Sequence, residues 1–262
     1  TLSIFVDACF DNTKNFGSLS LLTGSIFFSF QIYGDFAGYS LIAIGLGKIM
    51  GFDFGINFNS PYFANSFRNF WQRWHISLST WFRDYVYIKL GGKRNGPVKR
   101  SCNVLITMLL AGLWHGANLT FILWGFLHAL LIIIQNFLSK NFQKNIKNPF
   151  VNLLKILFVF FVINALWILF RSNSIEHANM YINEILKFDD FFKGISPYIF
   201  YVYKGFFLIS VVLIIDFLTS IEKIKKKLIN KDILKIISLL LILLSISFFG
   251  TFNETPFIYF QF

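Results

Sequence analysis

Long apolar runs dominate this chain and limit what it can become. Residues 151–170, 198–218 and 233–250 each match the length of a membrane-spanning helix, about 20 mostly apolar residues. Two longer runs, 18–50 and 102–138, are equally apolar but broken by glycines. Apolar residues make up 55% of the 262 positions, and 36 of those positions are Phe. Charged residues make up 14%, where a soluble domain carries about 25%. A soluble fold of this size has no core large enough to hide so much apolar surface. The chain therefore reads as an all-α integral membrane protein: a multi-span helical bundle forming a single transmembrane domain over 1–262, with broken, re-entrant and interfacial helices.

Charge gives the sidedness. Lys and Arg number 24 against 13 Asp and Glu, a net charge of +11. A basic balance can signal nucleic acid. Here the basic residues sit in short clusters between apolar runs, the pattern of loops on the cytoplasmic side of a membrane. Lys140, Lys144 and Lys147 form one such loop and Lys223, Lys225, Lys226, Lys227 and Lys231 another. The intervening loop carries Glu176, Glu184, Asp189 and Asp190. The expected partners are thus membrane lipids and not nucleic acid. Cys9 and Cys102 have neither metal nor redox spacing and read as small packing residues. The chain begins at Thr1 without a charged segment and cleavage site, so no signal peptide is expected. It reads as a piece of something longer.

Residues 52–100 are rich in Trp, Tyr, Arg and Asn and contain no run long enough to cross. They read as an interfacial segment on the cytoplasmic side. The run 102–138 then starts and ends on that side, so 102–114 and 118–138 form an in-and-out pair. The first arm, as helix, is about 20 Å long, which places His115 within membrane depth, between Gly112 and Gly116. Irregular backbone at that depth lines a cavity or lies within protein, and an ionisable residue there is a functional candidate. A desolvated imidazole stays neutral and can act as a general base. Trp114 and Asn118 adjoin it. His75, among Trp71, Arg73, Trp74, Trp81 and Arg83, is a second candidate, although an interfacial helix explains the Trp and Arg without it. His128 reads as a packing residue and His177 as a solvated loop residue. There is no HExxH zinc spacing, no GxSxG elbow and no P-loop, and no metal is expected.

Four separated runs carry a resemblance: QIYGDFAGYS at 31–40, FWQRWHISLSTW at 70–81, FRDYVYIKLGG at 82–92 and GLWHGAN at 112–118. Together with FIYFQF at 257–262, they resemble the membrane-bound O-acyltransferase family, and within it the membrane subunit of bacterial alginate and peptidoglycan O-acetylation systems. The chain is similar to the C-terminal part of such proteins. The resemblance implies catalytic roles for His115 and His75. It implies an acetyl group taken from a cytoplasmic thioester, acetyl-CoA or an acyl carrier, with no tightly bound cofactor. It implies passage across the inner membrane to an extracytoplasmic acetyltransferase partner and a polysaccharide acceptor. D-alanyl transfer to teichoic acid is the alternative within the family. Arg73 and Arg83 are candidates for a carrier phosphate. Asp35, Trp74, Trp114 and Asn118 are candidates for lining the channel or positioning substrate. A non-catalytic channel or scaffold, and a truncated pseudo-enzyme, remain open readings of the residues.

Overall fold

The computed structural model describes residues 2–94, 96–142 and 148–220, and the four positions 239, 240, 243 and 247 beyond them. The expected span 233–250 lies outside the described residues apart from those four positions. So do the Lys223 to Lys231 cluster, Lys144, Lys147 and the final FIYFQF run.

The described residues are helical, with no strand among them. The helices are α1 (Ser3–Asp11), α2 (Ser18–Ile49), α3 (Phe67–Trp71), α4 (Ile76–Phe82), α5 (Gly96–His115), α6 (Leu119–Phe142), α7 (Pro149–Arg171), α8 (Ile175–Leu186) and α9 (Ile199–Ser220). Among the described residues, three stretches are long and apolar enough to cross a membrane: Leu119–Leu138 in α6, Pro149–Arg171, and Ser196–Ser220, which contains α9.

The 18–50 run forms one continuous helix of 32 residues, about 48 Å long at 1.5 Å per residue. It buries a polar ladder against α7. Ser25 Oγ donates to Asn164 Oδ1 at 3.0 Å, and Asn164 Nδ2 donates to Ser29 Oγ at 2.8 Å. Small hydroxyls at such a crossing allow close approach and satisfy each other in a medium without water. Around the ladder lies an aromatic core built on Phe70, Trp74, Trp124, Trp167 and Phe170. Side chains cap the starts of α7 and α8: Asn148 accepts from Phe150 N, and Ser174 from His177 N.

Two expectations change. α5 begins at Gly96, with Pro97 in its first turn, and so runs 20 residues, about 30 Å, where the apolar pattern gave only a short arm. Residues 96–101, Gly-Pro-Val-Lys-Arg-Ser, form its first turns, and Asn103 Nδ2 donates to the carbonyls of Leu90 and Gly92, holding the preceding loop against the helix. Beyond the end of α5, Asn118 Nδ2 donates to Asn173 O at 3.0 Å, so the α5–α6 turn sits level with the α7–α8 connection. Secondly, His177 is not merely solvated. It lies in α8, and its Nε2 meets Phe10 O at 2.9 Å.

Candidate active site

Helices α5 and α6 form a hairpin whose backbones nearly touch. A Cβ on Gly112 would lie 2.3 Å from Phe121 O, and one on Gly125 would lie 2.3 Å from Met108 O. Only glycine permits this crossing, and the crossing fixes the hairpin tip that carries His115. There the His115 ring is seated edge-on against Trp124 and Phe170, with centroids 5.4 and 5.1 Å away, and beside Trp114 at 5.0 Å.

His75 comes from a different element. It precedes α4 with φ 43° and ψ 57°, a left-handed conformation that non-glycine residues adopt at a cost. The segment 57–60 holds it there. Ile76 N donates to Asn57 O and Asn59 N to Arg73 O, both at 2.9 Å. The Asn57 side chain completes the clamp: Oδ1 accepts from Ser77 N at 3.1 Å and Ser77 Oγ at 2.9 Å, and lies 3.3 Å from His75 Nδ1. Because a backbone N–H points at it, that atom is the amide oxygen, an acceptor only. Ser77 Oγ also lies 3.4 Å from Nδ1, but its proton is given to Asn57 Oδ1, so it too faces Nδ1 as an acceptor; this arrangement assigns the proton of neutral His75 to Nδ1 and leaves Nε2 as the basic nitrogen. His75 is 8% exposed, and burial pushes its pKa down to about 4, so the ring is neutral at pH 7. Phe36 packs edge-on against it at 4.6 Å.

The fold brings the two histidines together. Trp114 bridges them, 6.2 Å from the His75 ring and 5.0 Å from that of His115. Two histidines 40 residues apart in sequence thus flank one indole.

A cavity of about 510 Å³ reaches His115. Arg100, Val104, Thr107, Met108, Ala111 and His115 line one face of α5 along it. The 15 residues from Arg100 to His115 correspond to about 22 Å. The Arg100 end is basic, with Arg68, Arg83 and Lys93 also in the lining. Arg68 Nη2 and Arg100 Nη2 both donate to Asn136 Oδ1, at 2.6 and 3.1 Å, and among the described residues neither meets a carboxylate. Arg83 is held by both oxygens of Asp84, at 2.7 and 3.0 Å, an exposed pair that lowers the carboxyl pKa and raises that of the guanidinium.

The other candidates fall in several places. Arg73 Nη1 donates to Asn59 O and Arg73 Nε to Asn69 Oδ1, which ties the His75 loop together. Trp74 is 2% exposed, stacked on Phe70 and tilted against Trp167. Asp35 is exposed on α2. Asn118 opens α6 by accepting from Thr120 N. His128 is fully buried and accepts Trp71 Nε1–H at 3.2 Å. Cys9 is buried as expected, but Cys102 is exposed. Asn57, Arg68, Lys93 and Arg100 were not picked out from the sequence. Loop pairing and helix register place them, and neither leaves a local signal.

Residues 13–173 match the model of the membrane-bound O-acyltransferase family. The chain is 44% identical over 178 residues to a probable alginate O-acetylase of Pseudomonas aeruginosa, covering 68% of this chain and 33% of that protein. It is 38% identical over 175 residues to a peptidoglycan O-acetyltransferase of Helicobacter pylori, covering 66% and 33%. It is 32% identical over 177 residues to a teichoic acid D-alanyltransferase of Bacillus subtilis, covering 63% and 44%. The matched region spans about a third of the length of the first two relatives.

Proposed function

The chain belongs to the membrane-bound O-acyltransferase family, and on that premise we propose that the full-length protein moves an acetyl group from a thioester donor across the inner membrane, for O-acetylation of an extracytoplasmic polysaccharide. The observation that carries this reading is one cavity lined both by His115 and by the cations Arg68, Lys93 and Arg100. Acyl thioesters on coenzyme A or on a carrier share one design: phosphate at one end of a pantetheine arm and the thioester at the other. Arg68, Lys93 and Arg100 suit the phosphate, and the apolar face of α5 suits the arm.

In the transfer, a hydroxyl oxygen attacks the thioester carbonyl carbon, the C–S bond breaks, and the hydroxyl proton ends on the departing sulfur as a free thiol. A neutral imidazole can take that proton and hand it on. His75 presents a basic Nε2, and His115 lies at the far end of the cavity from Arg100. A positioned base supplies about 10²–10⁴-fold. In this reading an extracytoplasmic acetyltransferase completes the delivery to polymer, and no bound cofactor takes part.

The test compares ester-linked acetate on envelope and secreted polysaccharides in cells carrying the wild-type full-length protein or His115→Ala, with membrane levels checked by blot. Loss of acetate at normal protein level supports the proposal. Unchanged acetate refutes it. A D-alanine ester assay then tests the second family chemistry, to which the Bacillus subtilis relative points. Retention of both esters would favour a scaffold.

A further inference from the structure

Helix α9 turns most of its surface outward. It buries only Val202, Gly205, Ile209 and Asp216, which fall along one face. Three of these are ordinary packing residues. Asp216 is a carboxylate inside a segment apolar enough to cross the membrane, a position where an ionisable group is costly and needs a reason.

Its contacts supply one. Tyr33 Oη of α2 donates to the carboxylate, 3.0 Å from each oxygen. Ser60 Oγ donates to the backbone carbonyl of the same residue at 3.2 Å. Ser60 has φ 46°, and it ends the 57–60 segment whose Asn57 sets the tautomer of His75. The Tyr33 ring touches three members of that neighbourhood, with centroids 5.7 Å from Phe58, 5.5 Å from Tyr62 and 6.1 Å from Trp74. Two residues with left-handed backbone, Ser60 and His75, thus sit at either side of the contact between the 57–60 segment and the start of α4, and strain of this kind persists only where surrounding contacts over-determine it. The α9 backbone at 216 meets the Ser60 side, the Asp216 carboxylate holds Tyr33 against the same segment, and Asn57 acts on the His75 side.

We propose that Asp216, acting through its hydrogen bonds with Tyr33, is a positioning residue that docks α9 onto the 57–60 loop and so holds His75 in its reactive orientation. The catalytic half of this inference rests on the function proposed above; the structural half does not. The experiment therefore uses two readouts on the full-length protein. The first is diethyl pyrocarbonate modification of each histidine, followed peptide by peptide by mass spectrometry. Tyr33→Phe and Asp216→Leu should raise the labelling rate of His75 severalfold and leave His128 and His177 at their wild-type rates. Asp216→Asn keeps an acceptor for Tyr33 and should label as wild type. The second is transfer rate: Tyr33→Phe and Asp216→Leu should lower kcat about tenfold, the effect of one well-placed hydrogen bond, at unchanged donor KM.

An unchanged His75 labelling rate overturns the inference. So does a parallel rise at all three histidines, which reports general loosening, and so does Asp216→Asn behaving like Asp216→Leu. If His75 labelling rises alone but His75→Ala retains full transfer, the docking stands and the catalytic reading of His75 falls.

Discussion

Replacing Asn57 by leucine removes the nearer acceptor of His75 Nδ1 while keeping side-chain volume close. Three donors lose this oxygen, His75 Nδ1–H, Ser77 N–H and Ser77 Oγ–H, and the bond from Asn57 Nδ2 to Ser40 Oγ goes too. Each neutral hydrogen bond contributes about 0.5–1.5 kcal/mol net. Only the first bears on which imidazole nitrogen is basic, so about 1 kcal/mol of tautomer preference disappears. Release of the ring from its αL seat adds to that loss. Together these amount to roughly 1.4 kcal/mol, a tenfold fall in kcat. Donor KM should not move, because Asn57 is absent from the cavity lining. Asn57→Asp offers the sharper contrast. It keeps the acceptor but sets a negative charge beside an imidazole now held near pKa 4, which raises that pKa. The acid limb of the kcat/KM profile should then move to higher pH, with activity recovered as the pH rises. The assay is acetyl transfer by purified full-length protein from a radiolabelled thioester to an oligosaccharide over pH 5 to 9. A tenfold rise in KM for Asn57→Leu with kcat intact, or an unshifted acid limb for Asn57→Asp, would refute the tautomer argument.

Gly112→Ala places a Cβ 2.3 Å from Phe121 O; the helices must part, at the roughly 1–3 kcal/mol of overpacking, and the thermal midpoint in detergent should fall for this variant and for Gly125→Ala. Arg68→Gln and Arg100→Gln each remove a cation from the cavity mouth, so donor KM should rise about fivefold, or about 1 kcal/mol, with kcat held and with the effect shrinking at high salt. Neutral burial of His75 makes stability depend on pH. The folded pKa, about 4, lies below the unfolded value of about 6.5. This contribution is therefore intact above pH 6.5 and is lost as the pH falls from there towards 4, at up to about 3 kcal/mol. Thermal scans of wild type and His75→Gln should diverge over that window and run parallel above it.

The fold class was legible because hydrophobicity is local and additive: 151–170 and 198–218 lie within long helices, α7 and α9, from composition alone. What was not legible depended on partners far away in sequence. The 18–50 run contains several glycines and one Asp, and sequence left open whether it broke. It does not break, and Ser25 and Ser29 tie its first half to Asn164, 139 and 135 positions later. The length of α5 escaped notice because residues 96–101 are not an apolar run, and Asn103 reaches back to Leu90 and Gly92 to hold the preceding loop against the helix. At the candidate site, His115 and His75 stood out by their motifs. Asn57 did not, since an Asn in a loop has no signature until the chain folds back and its oxygen faces Nδ1. For Arg73 the sequence showed a cation beside two Trp residues and gave no sign that its guanidinium would hold the Asn59 carbonyl.

The two histidines come from different elements, and this bears on what each can do. His75 is fixed by directional hydrogen bonds and a left-handed backbone turn, so one nitrogen is committed as donor and the other as base. His115 sits at the tip of the α5–α6 hairpin, its ring packed against Trp124 and Phe170. In the proposed reaction the proton must arrive at a defined atom and then leave for the sulfur. A ring with an assigned tautomer suits the first task. A ring at the hairpin tip, at the cavity end remote from the basic mouth, suits contact with the thioester itself. Trp114, in contact with both, keeps the pair at a fixed separation. It follows that replacing Trp114 by a small residue should impair transfer more than its own exposure, 56%, would indicate, because the indole spaces two reactive groups as well as covering them.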